Sequence, residues 1–125
     1  MNRFTQILLR PDARPALSAA ALAAVRENTL RLIRRGFQIP LLPAHAAAGS
    51  IDGGPQLAPV RAVGRPAPVG RLVDLVQLPD GSLAQVIESS QALPAASFTS
   101  PEIRPGWIDP TGRRHGPIIA HIALT

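Results

Sequence analysis

Apolar positions along the chain change their period several times, and each change marks an element. Between Ala16 and Arg35, the residues Leu22, Val25, Thr29, Leu32 and Ile33 recur at steps of three or four, which puts them on one face of a helix. Gly36 supplies a C-terminal stop, and Arg31, Arg34 and Arg35 lie where the helix dipole favours cations, as a solvated helix end. Phe4–Leu9 is a short strand candidate ahead of the helix, broken by the segment Asp12–Pro15. Phe37–Leu42 is a short apolar strand ended by Pro43, and Ala44–Pro68 is rich in Gly, Pro and Ala without a period. That stretch is expected to be a long surface loop, of a length that often carries function. Gly70–Leu78 alternates, with Leu72, Asp74, Val76 and Leu78 on one face and Val73, Leu75 and Gln77 on the other. The turn signal Pro79-Asp80-Gly81-Ser82 joins it to the return strand Leu83–Ile87 as a β-hairpin. Ser89–Ala96 is a linker, Phe98–Trp107 is extended and interrupted by Pro101 and Pro105, Asp109–Gly112 is a second turn, and Ile118–Leu124 is a last apolar strand. One helix followed by mostly antiparallel strands predicts an α+β fold.

Composition narrows this picture. The 125 residues suit one small domain, and with 46% hydrophobic but only 3% aromatic residues the core must be built from Leu, Ile, Val and Ala. Fourteen Pro and ten Gly imply much loop. All 13 basic residues are Arg and the net charge is +5, but the arginines are scattered and aromatics for base stacking are few, so nucleic acid is not the expected partner. The absence of Cys excludes disulfides, thiol catalysis and Cys-based metal sites. No apolar run approaches the ~20 residues that span a bilayer, and the Ala-rich stretch Pro15–Val25 lacks the flanks of a signal peptide.

The chemistry-bearing residues are then the three histidines and the serines. His45 follows the Phe37–Leu42 strand at the mouth of the long loop, His115 falls in a turn expected to be exposed, and His121 sits inside the last apolar strand. An imidazole there needs a partner for at least one ring nitrogen, and hydrogen bonding to backbone is the plainest account of it. No His-x-x-x-His spacing supports a metal site, and no cofactor is expected. A serine nucleophile needs a base and an orienting third group. Two histidines on different strands with Ser97 or Ser100 between them in sequence can supply that, though the spacing alone is a weak signal.

The segment Phe98-Thr99-Ser100-Pro101-Glu102-Ile103 with Trp107 and Asp109 after it resembles the Ser-Pro-Glu stretch of Mu-like phage head-maturation proteases. The ending His121-Ile122-Ala123-Leu124-Thr125 is similar to that family's last strand, and Asn28–Ile33, Ile39–His45, Gly70–Asp74 and the Pro79–Ser82 turn resemble its helix, pre-histidine strand and hairpin. The likeness covers about residues 26–125. It implies a small β-barrel flanked by a helix, like herpesvirus assemblins and other prohead proteases. It also implies His45 as general base, Ser100 as nucleophile and His121 in the third position, where prohead proteases often carry an acid and the herpesvirus enzymes a second His. The implied partners are phage scaffold and major capsid protein within proheads assembling in the bacterial cytoplasm, with homo-oligomers conceivable and no membrane. Nothing in the residues identifies the oxyanion donors; backbone amides near Arg61–Gly70 are a guess, resting only on the fact that a Gly/Arg-rich loop can point amides at a developing oxyanion.

Two departures bear on activity: the chain stops at Thr125 where the family runs on, and the Glu88–Ser97 connection is short where the family commonly has a helix. A fragment, or an inactive assembly or scaffolding module of the same fold, is therefore the alternative to a live serine endopeptidase. An Arg-rich nucleic-acid module, with Arg61, Arg65, Arg71 and Arg104 on one face, ranks last. Glu102 is expected to pair with an arginine, Asp109 to fit its turn, and Trp107 to pack.

Overall fold

A computed structural model describes residues 2–47, 53–57, 68–90 and 99–124. In chain order its elements are β1 (Asn2–Leu9), a 3-10 turn (Pro15–Leu17), α1 (Ala19–Arg34), β2 (Phe37–Leu42), β3 (Gln56–Leu57), β4 (Gly70–Gln77) and β5 (Leu83–Ser89), then β6 (Thr99–Arg104), β7 (Trp107–Ile108), β8 (Arg114–His115) and β9 (Ile118–Leu124). The fold is α+β: one helix on a curled mixed sheet that forms a half-barrel. The strand order is β1-β5-β4-β2-β9-β6, with β3 added to β2, while β7 and β8 make a separate ribbon. The pairings are antiparallel except β2–β9, which run parallel with Leu41 beside Ile122 and Leu42 beside Ala123. That pair lies inside the sheet, one strand from the β6 edge, and joins segments about 80 residues apart, so no local turn signal could announce it.

The helix starts three residues later than its apolar period suggests. Pro15 opens a 3-10 turn instead, and Ser18 caps α1 by accepting a hydrogen bond from Ala21 N at 3.1 Å. Gly36 ends it at φ +92°, a conformation that favours glycine. Leu22, Val25, Thr29 and Leu32 form its buried face, as the spacing predicts, with Ile33 packed at the margin. Against it lie Ile39 and Leu41 of β2, Leu72 and Leu75 of β4, Leu83 and Ile87 of β5, and Ile119 and Ile122 of β9. Each such buried aliphatic side chain contributes about 1.5–3 kcal/mol of transfer free energy.

Two of these strands break strict alternation. In β4 the register shifts between Leu72 and Asp74, so Leu72 and Leu75, expected on opposite faces, both enter the core. In β9 Ala120 is an extra residue: Glu102 pairs with His121, and the next pair is Ile103 with Ile119. The bulge turns Ile119 and Ile122 inward together and leaves His121 on the opposite face, away from α1. The helix holds the bulge in place. Thr29 Oγ1, fully buried, accepts a hydrogen bond from Ile119 N at 3.0 Å, and Asn28 Nδ2 donates to Pro117 O at 3.0 Å. Across the open seam of the half-barrel, Thr99 Oγ1 of β6 accepts from Gln85 Nε2 (2.7 Å) and donates to Gln6 Oε1 of β1 (3.1 Å).

Removing the Thr29 hydroxyl leaves a buried amide unpaired at the bulge. Thr29→Val is expected to lower the unfolding free energy by about 1–3 kcal/mol, and Thr29→Ser to retain most of the wild-type value. Urea titration measures both; a Thr29→Val protein as stable as wild type would show that the bulge does not need this bond.

Candidate functional site

The face of β9 turned away from α1 carries the site. Across β6, β9 and β2, the residues Ser100, Ala123 and Leu42 are paired in one row. His121 lies two residues before Ala123 on the same face, opposite Glu102. Ser100 and His121 are therefore diagonal neighbours on adjacent strands. His45 comes three residues after Leu42, past a bend at Pro43, and is exposed. Its ring reaches back over β9, so that His45 Nδ1 lies 2.8 Å from His121 Nε2. Ala123, a methyl side chain with no exposed surface, occupies the row between Ser100 and Leu42.

His121 is fully buried, and its Nδ1 lies 2.8 Å from the carbonyl oxygen of Gly53. A carbonyl can only accept, so His121 Nδ1 carries the proton. In the neutral ring Nε2 is then an acceptor, and it must receive the Nδ1–H of His45. The chain of bonds leaves His45 Nε2 unprotonated, on an exposed ring, as a base. The backbone bond expected for a core histidine is thus present, and so is the contact expected of an orienting one. Glu102 Oε2 lies 3.5 Å from His121 Nδ1 and also accepts from Arg104 Nε at 2.9 Å.

Gly53 is what permits this approach. A Cβ built on it would stand 3.0 Å from His121 Nδ1 and 3.1 Å from Ala46 Cβ, tighter than ordinary contacts. Gly53, Gly54 and Pro55 are buried, and β3 pairs with β2. Part of the Ala44–Pro68 stretch is therefore a cover over His121 and not a surface loop. The imidazole takes the Gly53 carbonyl and a strand edge takes Gln56–Leu57, which nothing in the aperiodic composition of the stretch signals.

Ser100 shares the face of the histidine pair, but its hydroxyl makes no hydrogen bond to His45 or to another side chain among the described residues. Such bonds are commonly long without substrate and tighten on complex formation. Ser97, most of the Ser89–Ala96 linker, residues 61–67 of the candidate oxyanion stretch, and Arg61 and Arg65 of the arginine cluster lie outside the described residues. The two described members of that cluster are each paired with a carboxylate, Arg71 with Glu88 at 3.2 Å and Arg104 with Glu102.

His115 corrects its expectation: it is buried, not exposed. Its Nε2 lies 2.8 Å from Asp109 Oδ2, and Trp107, which also meets Phe37 edge-on, tilts over its ring at 5.6 Å. Burial follows from Asp109, whose other oxygen accepts from Thr111 and Arg113 within the turn, so the carboxylate is already held inward where it meets the imidazole. His115 bonding comes first, and those bonds next, in holding the Asp109 carboxyl well below the usual range. A groove of about 910 Å³ runs past this ribbon, lined by Arg104, Trp107, Arg114 and His115 among others, and meets the site at the Arg104–Glu102 pair.

Among the described residues no three or more His, Asp or Glu are grouped to hold a metal ion, and no helix is long and apolar enough to cross a membrane. Comparison with family models, with curated proteins and with solved structures found no match.

Two outcomes follow from this geometry. Gly53→Ala is expected to displace His121 from its carbonyl partner, shifting or abolishing the downfield Nδ1–H proton resonance of His121 and costing about 1–3 kcal/mol of stability; an unchanged spectrum would refute the close approach. A carboxyl depressed in the native state stabilises fully above its unfolded value of about 3.9 and loses that contribution as pH falls toward its native value. The Tm deficit of Asp109→Asn is thus expected to shrink as pH falls below about 4; a deficit that grows as pH is lowered from about 4 would contradict it.

Proposed function

We propose that this chain is a serine endopeptidase of the Mu-like phage head-maturation type, with an assemblin-like half-barrel, that cleaves scaffold and capsid proteins during head assembly. The observation that carries this reading is the bond sequence Gly53 O, His121, His45, which leaves His45 Nε2 as a base on the face that holds Ser100. Ser100 Oγ attacks the scissile carbonyl and gives its proton to His45 Nε2. The imidazolium keeps its Nδ1–H on His121 Nε2, and His121 is anchored in turn by Gly53. His45 then returns the proton to the leaving amine, and a water activated by the same nitrogen hydrolyses the acyl ester. Full burial of His121 keeps water from competing for its bonds.

The second reading, an inactive assembly or scaffolding module, is favoured by one observation: the Ser100 hydroxyl makes no hydrogen bond to His45 among the described residues. A small fluorophosphonate ester separates the two. A live site is expected to take one label, located on Ser100 by peptide mass spectrometry, with none in Ser100→Ala and a rate at least ~10³-fold lower in His45→Ala. A folded protein that takes no label, or takes it elsewhere, would leave the module reading in place.

A further inference from the structure

We infer that Glu102 is a fourth, positioning member of the site, whose carboxylate stabilises the positive charge that the His45–His121 pair takes up when His45 accepts a proton. The inference rests on the catalytic reading above and adds to it the negative charge that a pair of histidines lacks. Two neutral imidazoles can fix each other's tautomer, but neither offsets a developing imidazolium as a carboxylate does. Around His121 the work is divided. Gly53 O, at 2.8 Å, takes the Nδ1–H and sets the tautomer, yet carries no net charge. Glu102 Oε2, at 3.5 Å from the same nitrogen, is beyond a good hydrogen bond but close enough to act by its charge. Its side chain is only 16% exposed and that of His121 is fully buried, so screening by water is weak between them.

The placement is built into the strand pairing. Glu102 stands opposite His121 in the β6–β9 ladder, and the bulge at Ala120 begins directly after this pair. Ser100, Glu102 and Arg104 alternate along one face of β6, so the nucleophile candidate and the carboxylate project from a single strand. Arg104 Nε, 2.9 Å from the same Oε2, holds the Glu102 carboxylate aimed along the face. Among the described residues, the titratable and charged groups that meet His121 are His45 from the segment after β2 and Glu102, with Arg104 behind it, from β6.

The test is Glu102→Gln, which keeps the shape and removes the charge, beside Glu102→Asp, which keeps the charge. Two quantities are read on the full chain at fixed pH: the rate of Ser100 labelling by a small fluorophosphonate too short to reach the Arg104 groove, and the chemical shift of the His121 Nδ1–H proton. Expected are a roughly ten-fold slower labelling in Glu102→Gln, an upfield shift of that proton, and substantial recovery of both in Glu102→Asp. Labelling at the wild-type rate with an unmoved resonance would overturn the role of Glu102 while leaving the peptidase standing. A wild-type protein that takes no label would remove the peptidase reading instead; the proton shift then still decides whether Glu102 acts on the histidine pair. Should Glu102→Gln not fold, Glu102→Ala, which also removes the charge, gives the same comparison, and a wild-type rate with an unmoved resonance there would overturn the proposal.

Discussion

One extra residue in the last strand organises the rest of the molecule. A strand that alternates without interruption would send His121 to the same face as Ile119, either burying an imidazole among aliphatic side chains or bringing the isoleucine out of the core. The bulge at Ala120 removes the conflict: Ile119 and Ile122 pack under α1 while His121 faces the other way. The amide displaced by the bulge is taken up by Thr29 from the middle of the helix, so the core and the site are coupled through one buried hydroxyl.

The outer face is assembled from three parts of the chain that contribute different physical roles. β6 and β9 supply a rigid ladder carrying Ser100, Glu102, His121 and Ala123. The end of β2, held parallel to β9, delivers His45. The buried Gly53–Pro55 segment closes over His121 and supplies the carbonyl that decides which nitrogen bears its proton. A site built mainly on strands keeps its groups in register more firmly than one built on loops. The His45 side chain, carried past the end of β2, is held by its bond to a buried partner.

Legibility in the sequence followed the range of the interactions. The helix face of Leu22, Val25, Thr29 and Leu32, the strands Phe37–Leu42 and Ile118–Leu124, and the Pro79–Ser82 turn are all specified within a few residues, by period, glycine position and turn chemistry. The turn closes as its residues demand, with Asp80 Oδ1 accepting from Ser82 N and Gly81 at φ +88°. The face assignment in Gly70–Leu78 failed because a bulge is invisible to a strict period of two. The exposure expected of His115 failed because Asp109, correctly placed in a turn, has a second carboxylate oxygen free to reach across the ribbon. Glu102 was legible as an arginine partner, but its place opposite His121 depends on a pairing register that neither strand contains alone.

The sequence by itself determined the helix with its apolar face, the longer strands and the Pro79–Ser82 turn, since these depend on local periodicity and turn chemistry, whereas His45, Ser100 and His121 were singled out as candidates by the resemblance to Mu-like phage proteases. Only the tertiary structure decided that His45 and His121 meet at 2.8 Å, that Gly53 sets their tautomers, and that Glu102 stands beside them. Those contacts span 19 to 76 residues and depend on a parallel strand pair, a bulge and a glycine without a Cβ. They arise from the closing of the sheet and the packing of α1 against it, a global balance of burial and hydrogen bonding that no short window of sequence contains.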